Sequence, residues 1–495
     1  MDAPTTTPEK RFTEWCATLS ELGGVASLLG WDRETVMPAA GADGRARQSG
    51  LIATMHHREL VRPDIDEVLG ALEAGAPEAA MRRQLQLMRR RRGRAMKVPE
   101  ELVRALSEAT SRSVSAWIEA RPANDYASFA GPFTEVVNRS REVAGLLAEG
   151  GEAYDALLDD YEPGARAATV EPLFAQLRDS LGPIVAERAG QRTGLPLREW
   201  PQGEPQLRLA RAVAGMVGYD LERGLIGTTA HPFTSTAGLG DVRFSIRGVI
   251  RDPLENVLIT LHEAGHAMYE QGFPDEYAGT PLHEAPSLGA HEAQSRFWEN
   301  HVGRTPAFWE RCLPVVRDTL GEAAEGLTVE GVVRAANEVA RTPVRVDADE
   351  ATYNLHIAVR FDLELRLFRG QVEVGDLPEA WDAQMEELVG VRPPSLADGV
   401  MQDIHWPEGL FGYFPTYTLG SVYAAQLAEA AGDALGGLDD AIADGRFADI
   451  LGFMRERVHR FGNLLPTAEL MRGATGRELS ADALIAHLRR GAALA

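Results

Sequence analysis

The chain has 495 residues, of which 44% are hydrophobic and 25% charged, a composition typical of folded globular proteins. Its 73 acidic and 50 basic residues give a formal net charge of -23, which argues against nucleic acid or an anionic membrane surface as a main partner. Cys16 and Cys312 have no neighbours at metal-ligand spacing, so free thiols are expected. Neither an apolar leader nor a membrane-spanning run is visible, which predicts a cytoplasmic location.

Helical periodicity dominates the N-terminal part of the chain. Amphipathic patterns predict helices over residues 11–29, 42–60, 65–74, 77–97, 99–120, 126–148 and 170–188. The first helix is expected to end before Gly30, and a loop follows in which Trp31 is a core or hinge aromatic. The run from Arg89 to Arg92 is interpreted as a salt-bridged helix face, because acidic residues outnumber basic ones. The breaks are short and no repeat occurs, which predicts one domain over residues 1–495, divided at most into two lobes.

The pattern changes to alternation between Thr228 and Arg251. Val242, Phe244 and Ile246 are separated by polar residues, which predicts a strand directly before the next helix. An extended peptide can add to an exposed strand edge, so this strand is a candidate for binding a peptide backbone. A small structural hairpin is equally compatible with the periodicity.

The next helix carries His262, Glu263 and His266. Two histidines four residues apart on a helix point the same way, so both imidazoles can reach one metal ion. Glu263 is rotated aside, where it can hold a water without binding the metal, and this is the arrangement that a metallopeptidase needs. Asp252, followed by a proline and by Glu255, predicts a capped helix start, and an apolar stripe at helical spacing predicts burial. A helix with two surface histidines is the alternative interpretation.

A catalytic zinc site needs a third protein ligand. The acidic and histidine residues that follow His266 are Glu270, Glu276, His283, Glu284, His291, Glu292 and Glu299. Glu270 lies too close along the same helix, and the Gly/Pro-rich segment 272–286 would hold a ligand loosely. Glu292 begins a new helical pattern that Phe297 and Trp298 can anchor in the core, and a rigid element holds a ligand better than a loop. Spacing favours Glu292 but leaves the choice open.

Several motifs in a fixed order resemble those of the carboxypeptidase Taq family of metallocarboxypeptidases. The resemblance extends from near residue 30 to beyond residue 420. The matching segments are Trp31 to Pro38, Asp241 to Ser245, His262 to His266, His291 to Gln294, Val344 to Asp349, Gly399 to Trp406 and Phe411 to Tyr417. Ala293, Ser245 and Val344 depart from the usual family residues, and none of the three is an expected metal ligand or base. The departures are therefore expected to affect substrate preference or metal affinity, not the type of reaction.

The resemblance implies a mainly α, two-lobed helical metallopeptidase with a deep central groove and a small β-sheet near the active site. It assigns His262, His266 and Glu292 to one metal ion per subunit, Zn²⁺ or alternatively Co²⁺, and Glu263 to the role of general base. Removal of the C-terminal residue from short peptides, with broad specificity, is the expected reaction. A homodimer is also implied, with no nucleic acid or membrane partner.

Recognition of a free α-carboxylate requires a cation, preferably the forked donors of an arginine. The resemblance makes Arg345 the candidate, with Arg360 and Arg243 as alternatives. Arg345 and Asp349 are four residues apart, so an ion pair at the start of a predicted helix over residues 348–368 is the structural alternative. His405 and Tyr417 are candidate donors to the developing oxyanion. The remaining candidate substrate-binding residues are His231, Asp241 and Gln402.

Two other functions are considered. An oligopeptidase or dipeptidyl carboxypeptidase on a similar helical groove fold would cut farther from the C-terminus. A helical scaffold that keeps a metal site without chemistry would be insensitive to the loss of Glu263.

Overall fold

The computed structural model describes residues 7–148, 150–190, 194–196 and 198–494, and most of them are helical. The helices of the N-terminal half are α1 (Pro8–Thr35), α2 (Ala42–Leu60), α3 (Ile65–Ala74), α4 (Ala79–Lys97), α5 (Glu100–Ala123), α6 (Tyr126–Leu147), α7 (Ala153–Tyr161), α8 (Ala167–Arg188) and α9 (Glu204–Val217). Those that follow the sheet are α10 (Pro253–Glu270), α11 (Leu288–Arg296), α12 (Pro306–Leu320), α13 (Val329–Asn337), α14 (Glu350–Phe368), α15 (Leu377–Gln384), α16 (Pro415–Leu435), α17 (Leu438–Ala443), α18 (Phe447–Arg457), α19 (Thr467–Thr475) and α20 (Asp482–Ala492). Within the described residues, none of these helices has the length and apolarity needed to cross a membrane.

The predicted helices over residues 42–60 and 65–74 are confirmed with the same bounds. The predicted end of the first helix before Gly30 is wrong, because α1 continues to Thr35. A glycine inside a helix costs only about 1 kcal/mol, and burial of Trp31 against Phe233, with ring centroids 5.4 Å apart, favours the longer helix. The interpretation of Trp31 as a core aromatic is confirmed. α7 was not predicted.

The three strands form one small sheet. β1 (Ile226–Thr229) is parallel to β3 (Asp241–Arg247), and β2 (Thr234–Gly238) is antiparallel to it, in the order β1-β3-β2. The predicted strand is therefore confirmed as β3. It does not lie at an exposed edge; with β2 it forms the small hairpin that was the alternative interpretation. Phe244 of β3 pairs with Ile226 on one side and with Thr234 on the other, so both edges of β3 are occupied.

The hydrophobic core has two parts. The larger part joins the sheet to the helices from α5 onward, and the smaller part lies between α1, α3 and α4 around Trp15 and Ile65. The arginine run on α4 is a salt-bridged face, as interpreted from the sequence. Its pairs are Arg89 with Glu73, Arg90 with Asp159, Arg91 with Glu284 and Arg92 with Asp66. Arg90 and Arg91 thus connect the N-terminal helices to the rest of the protein.

Both cysteines are free, as expected, and both are buried. Burial raises the pKa of the Cys16 thiol to about 12, which keeps it protonated and unreactive at neutral pH.

Candidate active site

α10 forms the floor of the site. Its N-cap residue Asp252 accepts a hydrogen bond from the backbone N–H of Glu255 at 2.8 Å, which confirms the predicted helix start. The helix then runs beneath the sheet, and most of its central residues are buried. His262 and His266 are half-buried on one face of this helix, one turn apart.

Glu292 of α11 meets both histidines. Its Oε2 atom lies 3.8 Å from Nε2 of His262 and 3.3 Å from Nε2 of His266. Among the described residues, these three side chains form the group whose ligand atoms all lie within 4.8 Å of one another. Two imidazole nitrogens and a carboxylate oxygen are a donor set that fits a divalent metal such as zinc.

Two glycines let α11 approach its neighbours closely. A Cβ atom at Gly265 of α10 would lie 2.6 Å from the carbonyl oxygen of Gln294, and a Cβ atom at Gly420 of α16 would lie 2.5 Å from Cγ of Glu292. Real Cβ atoms do not approach other heavy atoms so closely, so a side chain at either position would displace α11. The position of the Glu292 carboxylate therefore depends on both glycines.

Glu292 is held as an anion. Burial alone would raise the pKa of its carboxyl, but Arg296 and the two histidines hold that pKa well below the usual value. The Arg296 guanidinium donates from Nε to Oε1 of Glu292 at 2.7 Å and also lies 3.3 Å from Oε2 of Glu299. A carboxylate that stays ionised can bind a metal without first losing a proton.

Each histidine has a second polar partner behind it. Nδ1 of His262 lies 2.8 Å from Oε2 of Glu299, and Nδ1 of His266 lies 2.6 Å from Nδ1 of His291. Nε2 of His291 in turn lies 2.8 Å from Oε1 of Glu270. The sequence analysis considered three of these residues as third metal ligands: Glu270, His291 and Glu299. In the structure Glu299 contacts Nδ1 of His262, His291 contacts Nδ1 of His266, and Glu270 contacts Nε2 of His291.

Glu263 is buried beside the metal-binding group, with 6% of its surface exposed. Thr234 of β2 donates its hydroxyl to Oε2 of Glu263 at 2.8 Å and lies 3.1 Å from the Glu263 carbonyl oxygen. Burial raises the pKa of the Glu263 carboxyl, while the neighbouring His262 lowers it. Thr234 was missed by the sequence reasoning, since nothing in a short threonine-rich segment shows which residue faces the helix.

A groove of about 670 Å³ opens above this group. Five of the candidate residues line it: His262, Glu263, Glu292, Arg345 and Tyr417. The other walls come from the N-terminal half of α10, the end of α13, the start of α14 and the described residues near Trp200.

Arg345 lies in a short 3-10 turn before α14 and is 9% exposed. Its Nε and Nη2 atoms donate to Oδ1 of Asp403 at 3.0 and 2.7 Å. The ion pair with Asp349 considered from the sequence is not formed, because Asp349 instead caps α14 by accepting from the backbone N–H groups of Ala351 and Thr352.

Arg360 lies behind Arg345. It is fully buried, and its Nη2 atom lies 2.6 Å from Oδ2 of Asp403. Burial would raise the pKa of Asp403, but the two arginines hold it far below its usual value, so this aspartate is ionised. Gln402 accepts at Oε1 from the backbone N–H of Arg345 and from Arg360, both at 2.7 Å. Arg360 and Gln402 therefore support Arg345 and do not line the groove.

His405 and Tyr417 contact each other, with Nε2 of His405 lying 3.3 Å from the Tyr417 hydroxyl. Burial lowers the pKa of His405 to about 4, so its imidazole is neutral at neutral pH. Of the two, Tyr417 lines the groove. Its ring also lies under the Arg345 guanidinium, 5.5 Å from ring centroid to Cζ.

The remaining candidates lie on or near the sheet. Arg243 and Asp241 form a bidentate pair at 2.7 and 2.6 Å, and the Arg243 guanidinium lies 5.8 Å from the ring centroid of Trp31. His231 is exposed, and its carbonyl oxygen accepts a hydrogen bond from the hydroxyl of Thr229. None of the three is among the described residues that line the groove.

A buried glutamate beside three metal-binding side chains, at the floor of a groove in a helical protein, characterises a metal-dependent peptidase. The family model of the carboxypeptidase Taq (M32) metallopeptidases matches residues 11–491, and the chain belongs to this family. The predicted helical fold with a small sheet and the predicted metallocarboxypeptidase class are thereby confirmed.

Relatives of known sequence and structure match along almost the full length. Thermostable carboxypeptidase 1 of Thermus thermophilus is 41% identical over 507 residues, covering 98% of each chain. Carboxypeptidase 1 of Bacillus subtilis is 31% identical over 97% of each. The crystal structure of the M32 carboxypeptidase from Deinococcus radiodurans superposes with a TM-score of 0.95 at 38% identity, covering 98% of this chain and 99% of that one.

Proposed function

We propose that the protein removes the C-terminal residue from short peptides of varied sequence, with His262, His266 and Glu292 holding a Zn²⁺ ion that Co²⁺ can replace. The observation that carries this proposal is the convergence of both Nε2 atoms on Glu292 Oε2, directly beside the buried Glu263 and open to the groove. When bound, the ion supplies Lewis acidity, which polarises the scissile carbonyl and acidifies a water molecule.

Glu263 acts as the general base in this proposal. Thr234 occupies Oε2 of Glu263, which leaves Oε1 to accept the proton from the attacking water and to pass it to the leaving amine. Burial raises the pKa of Glu263, which makes its carboxylate a better proton acceptor than that of an exposed glutamate.

Arg345 binds the substrate α-carboxylate. Two buried arginines, Arg345 and Arg360, face the single carboxylate of Asp403, so the trio carries an excess positive charge. Only Arg345 of the two arginines lines the groove, and a substrate carboxylate placed against it would neutralise that charge. Gln402 fixes the backbone of Arg345 and is assigned no substrate contact.

Tyr417 is proposed as the donor to the developing oxyanion, and neutral His405 behind it orients the hydroxyl. Asp241 and Arg243 are assigned to the stability of the sheet, because they form a bidentate pair with each other. His231 is exposed and does not itself line the groove, whereas the next residue, Pro232, does. We therefore assign His231 to the rim of the groove.

The family resemblance supports three further proposals. The described helices and sheet work as one catalytic unit, the protein is a homodimer, and it acts in the cytoplasm on peptides. Light scattering after size exclusion tests the dimer directly, since a mass near 53.8 kDa would identify a monomer and contradict it.

Recognition of the free carboxylate distinguishes a carboxypeptidase from an oligopeptidase that uses the same groove. The test compares an N-blocked dipeptide with its C-terminally amidated form, with products identified by mass. We expect release of the C-terminal amino acid from the acid and cleavage of the amide slower by about 10²-fold or more, the effect of leaving a buried charge unpaired. Equal cleavage of both forms, or release of dipeptides from longer peptides, would contradict the proposal.

A further inference from the structure

The two histidines of the metal-binding group differ in what lies behind them. His262 contacts a carboxylate directly, since Glu299 Oε2 lies 2.8 Å from its Nδ1. Burial would raise the pKa of Glu299, but Arg296 and His262 lower it to about 2, so Glu299 is an anion. His266 instead contacts the imidazole of His291, and His291 in turn contacts the carboxylate of Glu270.

With both imidazoles neutral, the hydrogen bonds of this second chain have one consistent direction. The carboxylate of Glu270 accepts, so His291 carries its proton on Nε2 and donates across the 2.8 Å contact. Nδ1 of a neutral His291 is then a lone pair, and it accepts from Nδ1–H of His266 across 2.6 Å. The lone pair of His266 is thereby left on Nε2, the atom that faces Glu292 at 3.3 Å.

The arrangement of the rings agrees with this chain. The ring centroids of His266 and His291 are 4.5 Å apart with planes inclined by 27°, and the two Nδ1 atoms are 2.6 Å apart, so the rings approach each other through their Nδ1 atoms. The second oxygen of Glu270 is also used, since Thr236 of β2 lies 3.3 Å from Oε2.

His291 and Glu270 do not face the substrate groove. They line a second cavity of about 810 Å³ that is bounded by α2, α4 and the segment before α11. Among the residues that the structure describes, none that lines the groove also lines this cavity. The pair can therefore influence the metal-binding group without touching a substrate in the groove.

We infer that Glu270 and His291 are a positioning pair that fixes the tautomer and ring orientation of His266 for metal binding. This inference rests on the proposed function of His262, His266 and Glu292. Outer partners of metal-binding histidines fix the ring and increase its basicity, and loss of one typically weakens metal binding about 10- to 100-fold. His291 is adjacent to Glu292 in the chain, so one turn of α11 supplies both a ligand and the support of another ligand.

The test measures zinc affinity by competition with a chromophoric chelator, and unfolding temperature of the metal-free protein. In His291→Leu the acceptor for His266 Nδ1–H is lost, and we expect zinc affinity to fall about 10- to 100-fold. In His291→Asn the amide Oδ1 takes the place of the ring Nδ1, and we expect most of the affinity to return. Glu270→Gln keeps an uncharged acceptor and should give a smaller loss than His291→Leu. The matched control is Glu276→Gln on the exposed turn after α10, which should bind zinc as the wild type does.

Equal zinc affinity in the wild type, His291→Leu and His291→Asn would overturn the inference. Equal losses of zinc affinity in His291→Leu and His291→Asn, together with equal decreases in unfolding temperature, would also overturn it. That result would instead give His291 a packing role between α10 and α11. If His291→Leu fails to fold, the zinc affinities of the wild type, His291→Asn and Glu270→Gln test the inference. The inference then requires Glu270→Gln to bind zinc more weakly than the Glu276→Gln control. A wild-type protein that binds zinc no better than His262→Ala would instead refute the proposed metal site.

Discussion

At the scale of single residues, the proposed site separates metal binding from proton transfer. Glu263 is adjacent to His262 in the chain, yet its carboxylate accepts from Thr234 of the sheet and is not one of the three side chains proposed to hold the metal. Helical geometry explains this separation, because neighbouring residues on a helix point about 100° apart. The two functions can therefore be removed independently.

Glu263→Gln should leave metal content unchanged and lower kcat by about 10²- to 10⁴-fold, the usual contribution of a general base. His262→Ala should lose both metal and activity. Metal content by atomic emission, measured beside hydrolysis of a blocked dipeptide, checks both variants. A Glu263→Gln enzyme with wild-type turnover would contradict the assignment of the base.

Arg345→Ala should remove the preference for a free C-terminus. We expect kcat/KM on an acid peptide to fall by about 10²- to 10³-fold, as for truncation of one partner of a buried charge pair. Slow turnover of the amidated peptide and zinc affinity should not change. The control is Arg489→Ala, an exposed arginine of α20. Unchanged kinetics on the acid peptide would exclude Arg345 as the carboxylate-binding residue.

At the scale of elements, α11 controls the site because it lies between α10 and α16. Helix packing usually leaves about 8–10 Å between axes, and small residues at the crossing permit the close end of that range. Gly265 and Gly420 supply such positions on the two sides of Glu292. β2 contributes two hydrogen bonds to α10. The hydroxyl of Thr234 donates to Glu263, and that of Thr236 donates to Glu270.

Gly265→Ala should weaken zinc binding and lower the free energy of unfolding by about 1–3 kcal/mol or more, the cost of overpacking a rigid contact. The added Cβ meets backbone atoms of Gln294 and Ser295, which cannot turn aside as a side chain would. Gly70→Ala in α3 is the control, because no heavy atom lies within 4 Å of a Cβ built there. That control should stabilise α3 by about 0.5–1 kcal/mol. Wild-type zinc affinity in Gly265→Ala would contradict the proposed role of the close contact.

At the scale of the whole molecule, sequence reasoning succeeded where a local rule decides. Helical spacing is sufficient to place His262 and His266 on one face, and the Asp252 cap follows from neighbouring residues alone. The place of β3 in the middle of the sheet could not be obtained, since alternation shows which face of a strand is buried but not how many neighbours it has. The burial of Arg360 behind Arg345 also depends on Asp403, a contact between distant parts of the chain.

Several buried histidines make the stability of the protein depend on pH. Burial lowers the pKa of His356 and of His459 to about 3, and holds that of His301 well below the usual value. The unfolded chain binds protons at these histidines below about pH 6.5, whereas the folded chain does not, so these histidines lower the free energy of unfolding as pH decreases from about 6.5 toward about 3. Buried Glu162 and Glu364, whose pKa values are raised to about 8 and about 7, contribute with the opposite sign.

Chemical denaturation at several pH values between about 7.5 and 4.5 measures this slope. His459→Gln keeps a donor near the oxygen of Gln294 that His459 contacts at 3.0 Å. The variant should reduce the slope by about 1.4 kcal/mol per pH unit, the value for one proton. An equal slope in His459→Gln and in the wild type would contradict the neutral burial of His459.

The glycines beside Glu292 have a consequence for protein design. A designer may copy His262, Glu263, His266 and Glu292 onto another helical bundle. This transfers every side chain of the proposed metal site but omits the glycines that set the distances between the helices. The two helix crossings are close because each has a glycine, which lacks a side chain. A template with alanine at either crossing would therefore hold the carboxylate too far from the imidazoles. Transplanting this centre therefore requires choosing backbones by the separation of their helices first, and placing ligands second.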